Sequence, residues 1–128
     1  MTPTILGKKI GMTQVFDPSG QRVPVTIIQA GPCVVLQVKA REGSDGYHAV
    51  QLGFDDVKPH RSTMPMIGHA RGAQTAPKRM IREVRLTDAA THKVGEVVTV
   101  EQFQAGEVKW VDVLGVTKGR GFQGAMKR

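Results

Sequence analysis

Residues 14–29 read QVFDPSGQRVPVTIIQ, and this stretch decides the predicted fold because a turn separates two apolar runs. Asp17-Pro18-Ser19-Gly20 has aspartate first, proline second and glycine fourth, which is the residue pattern of a type I turn. Beyond the turn, every second residue from position 23 to position 27 is apolar, as in a strand with one buried face. The stretch therefore predicts a hairpin that joins Gln14–Phe16 to Val23–Gln29.

Apolar residues recur with the same period of two farther along the chain. The predicted strands are Val34–Lys39, Tyr47–Phe54, Val97–Phe103 and Val108–Val116. Glycine-containing turns at positions 42–46 and 94–96 precede the second and third of them. The last strand is apolar on both faces, so we expect it to have partners on both sides. Short strands separated by turns predict an all-β domain, built as a small barrel or sandwich.

Residues 57–80 break this pattern. Three prolines and two glycines interrupt the stretch, and all of its charged side chains are basic. We predict an irregular surface insertion with one or two helical turns, lying within a single domain of residues 1–116. Residues 117–128 are predicted to be a separate, basic and glycine-rich extension.

The chain is basic, with a formal net charge of +7 and a pI near 10.0. A basic surface attracts polyanions, of which nucleic acid is the commonest. A charge that only keeps the protein soluble is the alternative. An anionic membrane is a weaker candidate, because the sequence has no evident basic amphipathic helix, signal peptide or membrane-spanning run.

The residues are not arranged as in an enzyme or a metal site. Cys33 is the only cysteine, which excludes an internal disulfide and a cysteine-based zinc site and suits a reducing compartment. The four histidines lack the i, i+4 spacing of a helical metal site. Asp55 and Asp56 are a carboxylate pair, but adjacent strand residues point to opposite faces, so the two cannot readily act on one bond. We therefore expect no enzyme activity, cofactor, metal ion or small-molecule substrate.

Two basic segments lie among glycines. Gly119–Gly124 fits the GxGxxG pattern, but the four residues after it cannot form the helix of a dinucleotide-binding fold. Its glycines instead allow close approach to phosphates, and Phe122 can stack on an unpaired base. A flexible basic tail is the alternative. The other segment, Gly7–Thr13, fits either an RNA contact or an edge strand whose lysines discourage pairing.

These segments resemble, in the same order, bacterial-type ribosomal large-subunit protein three. The resemblance rests on Gly7–Thr13 with Phe16 and the Asp17–Gly20 turn, on Val23–Thr26, Gln37–Lys39, Gly46–Gln51 and Gly68-His69, and on Val111–Val113 with Thr117–Gly124. The matches extend over essentially all 128 residues. Together they are far more specific than any one of them alone.

The resemblance implies a translation-factor-like β-barrel in the cytoplasmic ribosome. It implies binding to large-subunit rRNA during assembly, beside large-subunit ribosomal proteins fourteen and nineteen. The expected rRNA-binding residues are Lys8, Lys9, Arg61, Arg71, Lys78, Arg79, Lys118, Gly119, Arg120, Gly121, Phe122, Lys127 and Arg128. Members of that family continue beyond this point with a long basic loop and returning strands, so we expect an incomplete barrel.

The rival interpretation is a free-standing basic β-barrel that acts as a protein-interaction module and has no role in rRNA binding. The two interpretations differ in where the charge should lie. An RNA-binding protein should cluster it at Lys8-Lys9 and Lys118–Arg128, whereas a charge that only aids solubility should be dispersed.

Overall fold

A computed structural model describes residues 3–105 and 108–127, and it confirms that the protein is mainly β. Its elements are β1 Gly7–Phe16, β2 Arg22–Ala30, β3 Cys33–Lys39, β4 Ala49–Asp56, α1 Met64–Arg71, β5 Lys78–Arg85, β6 Val97–Val98 and α2 Glu101–Ala105. Two short 3₁₀ turns lie at Pro59–Arg61 and Ala125–Lys127. The strands form two separate antiparallel sheets, and the described residues do not close into a barrel.

The first sheet is the predicted hairpin, β1 paired with β2. At its turn, the Asp17 carboxylate accepts hydrogen bonds from the Ser19 hydroxyl at 2.6 Å and from the backbone N–H of Gln21 at 2.9 Å. These bonds lower the pKa of Asp17. Strand β1 is longer than predicted, because it begins at Gly7. A bulge between Lys9 and Gly11 interrupts its pairing with β2.

The hairpin leaves apolar side chains uncovered. Met12 and Phe16 on β1 are each 67% exposed, and Val23 and Ile27 on β2 are more than two-fifths exposed. A two-stranded hairpin in water has little stability of its own. At its base, a hydrogen bond from the Gly31 N–H to the Leu6 carbonyl oxygen, 3.0 Å long, continues the pairing beyond the ends of the two strands.

The second sheet has the strand order β5-β4-β3-β6 and carries the core. Its buried side chains come from β3, β4 and β6, and Ile5 and Leu6 pack against them from the N-terminal segment. The core residues are Cys33, Val35, Val50, Leu52, Phe54 and Val98. Burial raises the pKa of the Cys33 thiol, as expected for a cysteine that packs as a small apolar residue.

The predicted insertion at 57–80 contains the 3₁₀ turn and α1, but its last three residues belong to β5. Gly53 on β4 leaves room for side chains from the two neighbouring strands, β5 and β3. A Cβ there would lie 2.6 Å from the Lys78 Cγ and 2.9 Å from the Leu36 Cδ1. The Lys78 side chain therefore crosses the sheet where only glycine leaves room for it.

Two strand predictions in the second half of the chain are wrong. The strand predicted at Val97–Phe103 ends at Val98, and α2 follows it. The Gln102 side chain on α2 donates a hydrogen bond to the Thr4 carbonyl oxygen at 3.1 Å, so the helix packs against the N-terminal segment. The strand predicted at Val108–Val116 is absent, because no described segment pairs with it, and Leu114 is 99% exposed.

Candidate nucleic-acid interface

The glycine-rich extension is the most exposed basic segment of the described chain. Lys118, Arg120 and Lys127 are exposed, and among the described residues none of them forms an ion pair with a carboxylate. Gly121 has a φ of 69°, a backbone conformation that favours glycine. The Phe122 ring beside it is 97% exposed. The segment therefore presents free cations and one aromatic ring to solvent, while Arg128 lies outside the described residues.

The lysine pair of the N-terminal segment lies on β1, at the base of the hairpin. Lys8 is opposite Gln29 and Lys9 is opposite Ile28 on β2, and both lysine side chains are exposed. The segment is therefore an edge strand bearing lysines, which was one of the two alternatives for it. An edge strand with exposed lysines can also contact RNA.

The remaining predicted residues occupy three elements around the insertion. Arg61 ends the 3₁₀ turn, and Arg71 ends α1; both are exposed. Arg79 on β5 is 72% exposed, with its guanidinium 3.7 Å from the Asp55 carboxylate. Lys78 differs from the other predicted residues, because its side chain is only 7% exposed and its ammonium is bonded to Asp56. Its charge is thus already neutralised within the fold.

Sequence analysis missed two further arginines on the same strand. Arg82 and Arg85 are exposed on β5, which was not predicted as a strand. Five of its eight residues are charged, and this hides the weak apolar alternation of Met80 and Val84. Three arginines at intervals of three residues were the available signal.

A polar network joins β3, β4 and β5 at the end of the second sheet. The Lys39 ammonium lies 2.9 Å from the Glu83 carboxylate, and the Tyr47 hydroxyl donates a hydrogen bond to the same carboxylate at 2.9 Å. The Arg85 guanidinium lies 4.4 Å from the centroid of the Tyr47 ring. The hydrogen bonds among Lys39, Glu83 and Tyr47 raise the pKa of Lys39 and lower that of Glu83. The network thus pairs the Lys39 charge with a carboxylate and places a guanidinium over the ring of Tyr47, the only tyrosine.

Acid should weaken this network, and Glu83→Gln should remove that part of the pH dependence. Glu83 has a pKa below its ordinary value of 4.5 because it accepts hydrogen bonds from Lys39 first and Tyr47 second. Its contribution to stability is therefore complete above about pH 4.5 and is lost as the pH falls through the lower folded value. In thermal melts from about pH 6 to pH 3, the difference between wild type and Glu83→Gln should shrink. A difference that stays constant would contradict this assignment.

Across residues 3–105 and 108–127, no group of three or more histidine, cysteine, aspartate or glutamate side chains lies close enough to hold a metal ion. Within the same residues, no helix is both long and apolar enough to cross a membrane.

Fold and surface together define a small, mainly-β protein with a basic, glycine-rich extension. The Ribosomal protein L3 family matches residues 37–128 of this chain, which are well over half of it. The chain belongs to that family.

Curated relatives agree with this assignment. The large ribosomal subunit protein uL3 of Streptococcus mutans is 58% identical over 128 residues, which are 100% of this chain and 59% of that protein. The uL3 protein of Geobacillus kaustophilus is 55% identical over the same shares. That of Corynebacterium jeikeium is 50% identical over 97% of this chain and 56% of its own length. The chain thus spans about three fifths of the length of these relatives.

Proposed function

We propose that the chain is a structural constituent of the large ribosomal subunit, where it binds large-subunit rRNA and supports subunit assembly in the cytoplasm. Family membership supports the ribosomal role. The observation that carries the RNA contact is the exposed Thr117–Lys127 segment, whose cations have no carboxylate partner in the described chain. Unpaired cations beside flexible glycines suit a phosphate backbone.

The proposed contacts follow from exposure. They are Lys8, Lys9, Arg61, Arg71, Arg79, Lys118, Gly119, Arg120, Gly121, Phe122 and Lys127, with Arg128 carried over from sequence alone. Lys78 is left out because Asp56 already neutralises it in a buried position. The role is structural and not enzymatic, and large-subunit proteins fourteen and nineteen are the proposed neighbours.

The barrel also belongs to this proposal. The exposed apolar side chains of the β1–β2 hairpin and of positions 110–116 are surfaces that a larger sheet would cover. The relatives have further residues of their own beyond the matched region, since this chain covers 59% of their length. We propose that residues 1–116 belong to a translation-factor-like barrel and that 117–128 begin an rRNA-binding extension.

Replacing Lys118 and Arg120 together by alanine should weaken RNA binding and leave folding unchanged. Both side chains are exposed and lie outside the core, so their removal creates no cavity. The measurements are RNA affinity, the thermal melting midpoint, and recovery of the chain with large ribosomal subunits after a high-salt wash. The matched control is Lys93→Ala, which removes an exposed charge from a loop.

Two results would contradict the proposal. If the double variant has a much lower melting midpoint but binds RNA as wild type does, the segment contributes to folding and not to RNA binding. A wild-type chain that never copurifies with large subunits would favour the free-standing interaction module.

A further inference from the structure

Strand β5 is an edge of the second sheet, and it carries three exposed arginines. Its inner side pairs with β4, and no strand among the described residues pairs with its outer side. The arginines are Arg79, Arg82 and Arg85, spaced three residues apart. At about 3.4 Å per residue, consecutive Cα atoms of this set are about 10 Å apart along the strand.

The three side chains leave the strand on both faces of the sheet. Arg82 is paired with Leu52, which belongs to the core face, whereas Arg85 is paired with Ala49 on the opposite face. Arg79 is an even number of residues from Arg85 and therefore shares its face. The cations thus lie on either side of a free edge.

The charges that could neutralise this edge are already engaged elsewhere. The single acidic residue of β5, Glu83, is bonded to Lys39 and Tyr47. Arg82 donates a hydrogen bond to the neighbouring Ile81 carbonyl oxygen at 2.9 Å and has no ion pair within the described chain. The partner of Arg79 is Asp55, at a distance of 3.7 Å. Such a long, exposed pair contributes little and leaves the guanidinium available.

We propose that the β5 edge is a second RNA-binding surface, and that it binds the sugar–phosphate backbone of base-paired RNA. This inference rests on the proposed function and adds a ligand class and two residues to it. Cations on both sides of one edge fit the two phosphate strands that border a groove. Guanidinium groups suit phosphate because they donate in pairs from one plane.

The same edge is poorly suited to unpaired bases. Recognition of a single strand uses exposed aromatic rings on which bases stack. Of the aromatic residues beside β5, Phe54 is buried, and Tyr47 already has the Arg85 guanidinium over its ring. The extension differs, because Phe122 is fully accessible there. The two surfaces should therefore prefer different RNA: paired at the β5 edge and unpaired at the extension.

Another role for these arginines is to prevent aggregation, because charges on an edge strand discourage pairing with a second sheet. The two roles make different predictions for Arg82→Glu. That variant keeps the edge charged and would still prevent pairing. It should nevertheless repel phosphate and bind duplex RNA more weakly than Arg82→Ala does.

The test measures affinity of the full chain for an RNA duplex of about 16 base pairs, the span of a double-stranded RNA module, and for a single strand of equal length. Arg79→Ala with Arg82→Ala should weaken duplex binding about tenfold and reduce the salt slope by about 2, while changing single-strand binding little. Lys118→Ala with Arg120→Ala should instead weaken single-strand binding and change duplex binding little. Arg79→Lys with Arg82→Lys should recover most duplex affinity, and Lys93→Ala should change neither.

Three results would overturn the inference. One is unchanged duplex affinity and salt slope in the Arg79/Arg82 variant. Another is increased self-association of that variant in size analysis with unchanged affinity, which would assign the arginines to protection of the edge. The last is an equal loss of affinity for the duplex and the single strand in that variant. If the extension variant still loses single-strand affinity in these cases, the proposed function stands, and if wild type binds neither RNA, both fail.

Discussion

Raising monovalent salt from about 50 mM to about 200 mM is expected to weaken binding of this chain to RNA by roughly 100- to 500-fold. The reason is release of counterions when cationic side chains neutralise phosphates. With about 5 phosphate contacts, log affinity should fall with log salt at a slope of about −3.5 for single strands and −4.5 for a duplex. The contacts that we propose at the extension are Lys118, Arg120 and Lys127, all three of which are exposed. Filter binding or fluorescence anisotropy over a salt series gives the slope directly.

Variants test which residues determine the slope of log affinity against log salt. Each phosphate contact removed should reduce its magnitude by about 1, so Lys118→Ala with Arg120→Ala should reduce it by about 2. Lys93→Ala is the matched control, because this exposed lysine lies in the loop before β6 and is not a proposed contact. An affinity that does not change with salt would exclude the electrostatic mechanism. A slope that Lys93→Ala also reduces by about 1 for its single charge would show that net charge alone attracts the RNA.

The first half of the fold was predictable because local signals determine it. The Asp17 carboxylate bonds within its own turn, and the period of two along β2 and β3 is visible without knowledge of partners. The family could also be recognised, because its motifs are short and occur in a fixed order. In each case, the interaction that matters connects residues close in sequence or repeats along one strand.

The errors occurred where distant residues decide the structure. Strand β5 forms because it pairs with β4, where Glu83 is opposite Gln51, and its own apolar alternation is weak. The segment at 108–116 has the composition of a strand but has no partner among the described residues. A strand requires a neighbouring strand for its hydrogen bonds, so strand composition alone cannot guarantee one.

The sequence could show which residues of the candidate site are basic, but not which of them are exposed in the fold. Lys78 and Arg79 are adjacent in sequence and looked equivalent as cations. In the fold, one side chain crosses Gly53 and bonds to Asp56, a residue 22 positions away, whereas the other faces solvent. The alternation of side chains along a strand separates them, and that separation requires knowing that β5 exists.

Replacing Phe54 by alanine should cost about 3–5 kcal/mol of unfolding free energy, the largest stability effect we predict for a single site. Phe54 is 4% exposed and packs in the core with Leu52 and Val50. Its removal leaves a cavity that the surrounding sheet cannot fully close. Since domains of this size have only about 5–15 kcal/mol of stability, the variant should lose a large share of it and unfold at a clearly lower urea concentration. Urea denaturation followed by circular dichroism measures the effect.

Two other phenylalanines provide matched controls for the same chemical change. Phe16 is 67% exposed on the hairpin and Phe122 is 97% exposed in the extension, so Phe16→Ala and Phe122→Ala should each change stability by less than about 0.5 kcal/mol. Phe122→Ala should instead weaken single-strand RNA binding about tenfold, through loss of one stacked base. If Phe16→Ala destabilises the chain as strongly as Phe54→Ala, the hairpin is covered in solution by a surface that buries its apolar side chains. The core would then extend beyond the second sheet, because only a buried ring can cost that much to remove.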